Sequence, residues 1–157
     1  MKIAIIDDYQ DAFRKLECSK KLAGHELIAF TDTEKDPARL AARIADAEVL
    51  VLTQQRSKLP RAVIEKLPKL KLVSQTGRNA YHIDIEACTD KGIVISAGGA
   101  GNPNPTAELA WALILAALRR IPQEVRRLQD GQWQGSVGTG LFGKTLGIYA
   151  YGRIGSL

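Results

Sequence analysis

The sequence predicts an α/β fold in which the first 98 residues form a doubly wound, five-stranded parallel sheet. Short apolar runs alternate with segments in which apolar residues have helical spacing, the pattern of repeated strand–helix–strand units. The third run, EVLVLT at 48–53, is apolar almost throughout, as expected for a strand covered on both faces. In such sheets, ligands bind at the carboxyl ends of the strands.

The predicted elements follow one another closely along this first part. The strands cover residues 3–8, 25–30, 48–53, 70–77 and 93–96, and the crossover helices cover residues 9–22, 36–47, 59–67 and 83–92. Phe13, Leu16 and Leu22 have roughly helical spacing in the first of these helices. Asp36 followed by Pro37 is a helix start signal, an N-cap and a proline at N1. Gly92 is expected to stop the last helix. This order of elements is that of a flavodoxin-like fold.

The composition changes after residue 98. AGGAGNPNP at 97–105 contains three glycines and two prolines and is predicted to be a linker. A long linker helix follows, capped by Asn104 or Thr106, and Pro122 should kink or end its first part. After a glycine-rich loop at 130–144, TLGIYA at 145–150 is the predicted first strand of a Rossmann domain.

Composition and charge exclude several classes of protein. With 45% apolar and 25% charged residues, the chain is expected to fold, and its N-terminus is too short for a signal peptide, which predicts a cytoplasmic location. The longest apolar run, 109–118, has ten residues where a membrane span needs about 20. The net charge of +5 and the arginines at 119–127 indicate a solvated helix end and no nucleic-acid partner. Cys18 and Cys88 are predicted to be unpaired, buried thiols, and no metal site is expected.

Two acidic residues after the first strand raise one alternative function. Asp7 and Asp8 resemble the acidic pair of receiver-like signalling modules, which bind Mg²⁺ beside a phosphorylated aspartate. Thr53 occupies the position at which that aspartate should stand. Asp7 and Asp8 are therefore expected to cap the following turn or to face solvent.

A stronger pattern follows the fourth strand, in SQTGRNAYHID. Gly77 allows a sharp turn, so that the N–H groups of Gly77, Arg78 and Asn79 can converge on an anion. Arg56, just after the third strand, should emerge on the same edge of the sheet, and its guanidinium fork matches a carboxylate. The pattern predicts an acid-binding crevice, although Arg56 is equally compatible with a surface role and Gly77 alone with an ordinary turn. His82 has no evident carboxylate partner and is expected to be structural.

The C-terminal stretch contains an incomplete dinucleotide-binding fingerprint. In the pattern G-x-G-x-x-G, Ala150 replaces the first glycine, while Gly152 and Gly155 occupy the other two positions. The N–H groups of Arg153 and Ile154 would open a helix that faces a phosphate group. Ala150 should introduce a tolerable strain at this turn.

Five motifs follow one another along the chain: TGRNAYHID, GIVIS, NPTAELAWALILAALR, GQW and GKTLGIYAYGRIG. In this order they resemble the NAD-dependent D-isomer-specific 2-hydroxyacid dehydrogenases, and the resemblance covers essentially the whole chain. The resemblance implies a substrate domain at 1–98 and a linker helix with the start of an NAD-binding domain at 99–157. It implies that the backbone N–H groups of Arg78 and Asn79 hold the carboxylate of a small 2-hydroxy or 2-keto acid, with Arg56 nearby. Thr106 would lie near the nicotinamide of NAD, and the pyrophosphate would contact the backbone at Gly152, Arg153, Ile154 and Gly155.

Departures from this family lead to further expectations. Arg78 and Asn79 replace a pair that is commonly small or apolar, which favours a more polar acid. The family's catalytic Arg, Glu and His come from a later part of the NAD domain, so we expect a truncated chain without catalytic residues or turnover. A non-catalytic carboxylate-binding module is the alternative. The resemblance also implies a homodimer through the apolar helix residues Leu109, Trp111, Leu113 and Ile114.

Overall fold

The computed structural model describes residues 1–99 and 101–157. The chain divides into two compact units after residue 100, and each is described separately. Ala100, which falls inside the predicted linker 97–105, lies outside the described residues.

The first unit contains the predicted five-stranded sheet. Its strands are β1 (Lys2–Ile6), β2 (Glu26–Ala29), β3 (Val49–Leu52), β4 (Leu72–Gln75) and β5 (Val94–Ala97). All neighbouring pairs are parallel, and the order is β2-β1-β3-β4-β5. This order confirms the predicted flavodoxin-like α/β class, and all five carboxyl ends lie at one edge of the sheet.

Alternation along the central strands creates an apolar layer on each face of the sheet. Ala4, Ile6, Leu50 and Leu52 belong to the larger core, which also contains the buried side chains of the three helices of this unit. The opposite face carries Ile3, Ile5, Val49 and Val51, which pack against Phe13 and Leu22 of the segment after β1. Leu50 is fully buried, which explains why the third run is apolar at almost every position.

The crossover helices on the larger core are α1 (Pro37–Ile44), α2 (Arg61–Ile64) and α3 (Ile85–Asp90). The Asp36 side chain accepts a hydrogen bond from the Arg39 N–H at 2.8 Å, which confirms the predicted N-cap. Gly92 has φ +66° just beyond α3, the left-handed conformation that ends a helix, as predicted.

The prediction of an α-helix at 9–22 is wrong. The segment instead forms two 3₁₀ helices, Phe13–Lys15 and Glu17–Leu22, which are separated by the extended residue Leu16. The Asp8 carboxylate accepts hydrogen bonds from the N–H groups of Ala12 and Phe13, both at 2.9 Å, and this fixes a turn immediately after β1. Local side-chain-to-backbone bonds of this kind compete with helical hydrogen bonding. Cys18 is exposed in this segment, contrary to prediction, whereas Cys88 is buried, and both thiols are free.

The second unit contains α4 (Asn104–Leu118) and α5 (Ile121–Gln129). Arg120 between them has φ +55°, and Pro122 lies in the first turn of α5, so the predicted break is confirmed. Neither Asn104 nor Thr106 caps α4, because the helix begins at Asn104 itself. Pro103 occupies the N-cap position, and the Asn102 side chain accepts the Asn104 N–H at 3.0 Å in a turn that precedes the helix.

The strand expected at 145–150 is not formed. A strand exists only when a neighbouring strand pairs with its backbone, and no strand is present in the described part of the second unit. Within residues 1–99 and 101–157, none of the helices combines the length and apolar character needed to cross a membrane.

Candidate functional site

The loops after β3 and β4 are joined at the carboxyl edge of the sheet. The Thr76 hydroxyl donates to the carbonyl oxygen of Leu52 at 3.0 Å and accepts the N–H of Gln54 at 2.9 Å. The Thr76 N–H also donates to the Leu52 carbonyl at 3.1 Å. One side chain therefore fixes the start of both loops, and Gln54 adopts a left-handed backbone with φ +59° as it leaves β3.

The predicted anion-binding segment, residues 77–79, lies immediately beyond Thr76, and we call it the arch. In the described part of the chain, the N–H groups of Gly77, Arg78 and Asn79 have no hydrogen-bond acceptor. Arg78 and Asn79 are exposed, and Gly77 is half-buried. Three successive N–H groups at a sheet edge thus remain available to an external acceptor.

Gly77 occupies a crowded position in which glycine is well suited. A Cβ atom there would lie 3.3 Å from Gln55 Nε2 and 3.4 Å from Gln75 Nε2. The chain after β5 also approaches, because a Cβ on Gly99 would lie 3.7 Å from Gly77 Cα. The glycines at these positions therefore allow three strand ends to meet around the arch.

Arg56 emerges at the carboxyl edge but already has partners there. Its Nη1 donates to the carbonyl oxygen of Asp7 at 2.6 Å, and its guanidinium carbon lies 4.3 Å from the ring centroid of Tyr9. A guanidinium has five N–H donors, so these contacts orient Arg56 and leave donors for a ligand. Tyr9 and Asp7 are residues of this arrangement that the sequence analysis did not identify.

Arg78 is held less firmly than Arg56. Its Nε donates to the Gly99 carbonyl at 3.3 Å, and the side chain is exposed. Asn79 makes no side-chain hydrogen bond within the described residues. The polar character predicted for this part of the rim is therefore present at the surface.

His82 and Gln75 form a buried polar pair behind the arch. His82 Nε2 lies 3.2 Å from Gln75 Oε1, and only 7% of His82 and 3% of Gln75 are exposed. Burial lowers the pKa of the His82 imidazole, so the neutral form is favoured. The sequence analysis did not identify Gln75, although a glutamine at the end of an otherwise apolar strand is the signal that marks it.

Asp7 and Asp8 do not form a metal-binding pair. Both oxygens of Asp8 accept backbone N–H groups, and Asp7 Oδ1 accepts the Thr33 hydroxyl at 2.6 Å. Across the described residues there is no group of three acidic, histidine or cysteine side chains that can hold a metal ion. The prediction that they cap a turn holds for Asp8, but Asp7 is 1% exposed and does not face solvent. The receiver-like alternative is not favoured.

A cavity of about 760 Å³ lies at the opposite edge of the sheet and is lined mainly by charged residues. Lys69 bonds to Asp46 at 2.6 Å and Lys71 to Glu48 at 2.7 Å. Each of these hydrogen bonds lowers the pKa of its carboxyl group. Lys91, which also lines the cavity, donates to the carbonyl oxygens of Ile64, Glu65 and Leu67. The features of this cavity are those of a surface network in which the lysines already have partners.

The fingerprint region of the second unit forms a tight turn. Ala150 has φ +68°, so the position of the missing glycine does require a left-handed backbone. A Cβ on Gly155 would lie 2.9 Å from the Ala150 carbonyl oxygen, whereas a Cβ on Gly152 would meet nothing within 4 Å. Residues 152–156 form a single turn, closed by the Ser156 N–H to Gly152 carbonyl bond at 3.0 Å, and the expected helix is not present.

The remaining predicted cofactor residues are accessible. The N–H groups of Arg153 and Ile154 have no acceptor within the described residues, and the Arg153 side chain donates to the Gly101 carbonyl at 3.1 Å. Thr106 lies exposed in the first turn of α4. Apolar side chains of α4 are also exposed, with 59% of Leu109 and 60% of Leu113 accessible.

Comparison with known proteins shows the family to which this chain belongs. Residues 3–146 match the model of the D-isomer specific 2-hydroxyacid dehydrogenase catalytic domain. The chain belongs to this family. It is 38% identical over 158 residues to D-3-phosphoglycerate dehydrogenase of Methanocaldococcus jannaschii, with 99% of this chain and 29% of that protein covered. The human D-3-phosphoglycerate dehydrogenase is 33% identical over 156 residues, covering 98% of this chain and 28% of that protein.

Solved structures of 2-hydroxyacid dehydrogenases give the same result. A Ralstonia solanacearum protein assigned as a D-3-phosphoglycerate dehydrogenase superposes with a TM-score of 0.93 at 50% identity, and a phosphoglycerate oxidoreductase from Vibrio cholerae o395 with 0.93 at 41%. Both matches cover 99% of this chain and 50% of the other chain. The chain therefore spans about half the length of these solved relatives and less than a third of the curated ones.

Alanine at Gly155 is expected to disrupt the fingerprint turn, and alanine at Gly152 is the matched control. In Gly155→Ala the new methyl group would clash with the Ala150 carbonyl, whereas Gly152→Ala places it in open space. Amide spectra should show large shifts at Ser156 in the first variant and only neighbour-sized shifts in the second. Equal responses of the two variants would contradict this account of the turn.

Protonation of His82 is expected to destabilise the first unit at acidic pH. Because its pKa is lowered from 6.5 in the folded state, the unfolded chain takes up the proton first as the pH falls. The free energy of unfolding, measured by urea denaturation, should therefore decrease from pH 7.5 to pH 5 more steeply in the wild-type protein than in His82→Gln. Parallel pH profiles of the two proteins would show that His82 makes no such contribution.

Proposed function

We propose that this chain supplies the acid-binding part of an oxidoreductase that transfers hydride between NAD(H) and a small D-2-hydroxy acid or its 2-keto form. The observation that carries the proposal is the arch, three successive N–H groups without an acceptor in the described residues, at the carboxyl edge of a parallel sheet. Membership of the 2-hydroxyacid dehydrogenase family agrees with it.

In this proposal the arch binds the carboxylate of the acid. Backbone N–H groups donate to a carboxylate with charge-assisted hydrogen bonds, which are shorter and stronger than neutral ones. Arg56 lies after the neighbouring strand and is oriented by Asp7 and Tyr9, so its remaining N–H donors add positive charge to the same rim. Arg78 and Asn79 favour an acid with further polar groups, in agreement with relatives that are phosphoglycerate dehydrogenases.

The fingerprint turn is the proposed contact for the pyrophosphate of NAD. The residues fit such a group, because the Arg153 and Ile154 N–H groups are free within the described residues and Gly155 leaves room for the turn. Bound NAD would supply the hydride acceptor or donor. Thr106, exposed at the start of α4, is the proposed neighbour of its nicotinamide. We also propose a cytoplasmic location.

We further propose that these 157 residues alone do not convert the substrate to product. The family chemistry needs a histidine as acid or base at the reacting carbon. Of the two histidines here, His82 is buried behind the arch, and His25 Nδ1 lies 3.4 Å from the terminal amine of Met1, beside β2. Neither side chain is presented on the surface of the arch.

A homodimer through α4 is the last part of the proposal. Of the apolar residues of α4, Leu109, Trp111 and Leu113 are 59%, 44% and 60% exposed, and Ile114 is half-buried. Large exposed apolar patches are unusual on monomers. A second copy would bury the same patch on both chains.

Carboxylate binding is tested with a charged acid and its neutral analogue. In amide spectra at fixed ionic strength, D-lactate should shift the signals of Gly77, Arg78 and Asn79 until they saturate. Lactamide should bind at least about tenfold more weakly than D-lactate, because it lacks the negative charge. Equal shifts with lactamide, or lactate shifts confined to other residues, would refute the proposed binding mode.

Turnover is tested by mixing the purified chain with NADH and glyoxylate or hydroxypyruvate. We expect no oxidation of NADH above the protein-free rate, because no histidine is presented at the arch. A measurable rate from pure, intact material would disprove the proposed inactivity.

Self-association is tested by analytical ultracentrifugation of the wild-type chain and Leu113→Glu. The wild-type protein should sediment as a dimer, and the variant as a monomer, because a charge in an apolar interface is costly. Leu16→Glu, an exposed position in the first unit, is the control and should remain dimeric. A wild-type monomer at high concentration would exclude the dimer.

A further inference from the structure

Two side-chain amides meet on one side of the arch. Gln55, in the loop after β3, and Gln75, the last residue of β4, both place Nε2 within 3.4 Å of the point where a Cβ on Gly77 would stand. Neither side chain was among the residues that the sequence analysis predicted to bind a ligand. A methyl group at position 77 would press against both amides, so glycine leaves room for them beside the arch.

Gln75 has an unfulfilled hydrogen-bond donor at this point. Its Oε1 pairs with His82, but its Nε2 is buried and has no partner within the described residues. A buried donor without an acceptor costs on the order of 1–3 kcal/mol. Rotating the Gln55 amide by half a turn exchanges its oxygen and nitrogen, which have nearly the same size, and brings an acceptor to this side of Gly77.

This orientation of the Gln55 amide sets which group donates and which accepts in each hydrogen bond. With the Gln55 amide turned in this way, His82 Nε2–H would donate to Gln75 Oε1, and Gln75 Nε2 would donate to Gln55 Oε1. Both N–H bonds of Gln55 would then be left for a ligand. Gln55 is half-buried and therefore reachable from solvent. Its backbone is fixed by the preceding residue, because the Gln54 N–H is held by the Thr76 hydroxyl at 2.9 Å.

We propose that Gln55 is a specificity-determining residue that contacts the substrate, and that Gln75 and His82 are positioning residues that orient its amide. This inference rests on the proposed function. In this inference the arch N–H groups supply donors for the carboxylate. The Gln55 amide lies beside Gly77 and is half-buried, so it is the side chain that we expect to meet the part of the acid next to the carboxylate. The preferred ligands are 2-hydroxy acids with a second oxygen acceptor on carbon 3.

The test compares D-lactate with D-glycerate, which differ by the hydroxyl group on carbon 3. Dissociation constants are measured from amide shifts of Gly77 to Asn79 and from the side-chain N–H₂ signal of Gln55. The wild-type chain should bind D-glycerate about 3- to 10-fold more tightly than D-lactate, the range expected for one neutral hydrogen bond. Gln55→Met should abolish this preference while the affinity for D-lactate stays within about twofold.

The positioning residues are tested by loss and rescue. His82→Leu should reduce the preference for D-glycerate, and His82→Gln, whose amide reaches the position of Nε2, should restore it. Gln75→Met should also abolish the preference for D-glycerate over D-lactate. If this buried variant fails to fold, the two His82 variants and Gln55→Met are sufficient to test the inference. Gln123→Met, the same change at an exposed position in α5, is the control and should leave both affinities unchanged.

The outcomes separate this inference from the proposed function. If D-lactate shifts the arch but Gln55→Met weakens both acids equally or neither, the role of Gln55 is refuted and acid binding at the arch stands. A His82→Gln variant that is no better than His82→Leu refutes the positioning role. If neither acid shifts the arch of the wild-type chain, both the proposed function and this inference fail.

Discussion

Parallel pairing of all five strands is the constraint on which the rest of the structure depends. It places the carboxyl ends of all five strands at one edge, so residues that are far apart in the sequence come together there. The central strands are buried on both faces, which makes a shift in their register costly. The hydrogen bonds of Thr76 extend this order beyond the sheet and set the positions of the loops that follow β3 and β4.

The chemistry of the rim follows from backbone donors that the fold does not use. A strand end in a parallel sheet must leave its hydrogen-bonding ladder, and at 77–79 the structure provides no substitute acceptor among the described residues. The Gln55 and Gln75 amides lie beside Gly77, and Arg56 emerges after the neighbouring strand at the same edge of the sheet. Such a surface is suited to a small organic anion.

The sequence was sufficient for the fold class of the first unit and for the position of the turn that follows β4, because both depend on local signals. Alternating apolar runs predicted the strands, and a glycine after a buried strand predicted the turn of the arch. It was not sufficient at 9–22, where the contacts of Asp8 with two N–H groups replace helical bonds. The partners of Arg56 and the Gln75–His82 pair also escaped prediction, because they join residues from separate strand ends. The strand at 145–150 failed because pairing requires a neighbour that the pattern alone does not supply.

The most direct test of this account is a crystal structure of the chain grown with D-glycerate. We expect the carboxylate oxygens about 3 Å from the backbone nitrogens of residues 77–79, which is hydrogen-bond distance. Density for the acid at another place, together with arch N–H groups bonded to carbonyl oxygens of the chain itself, would contradict the central claim.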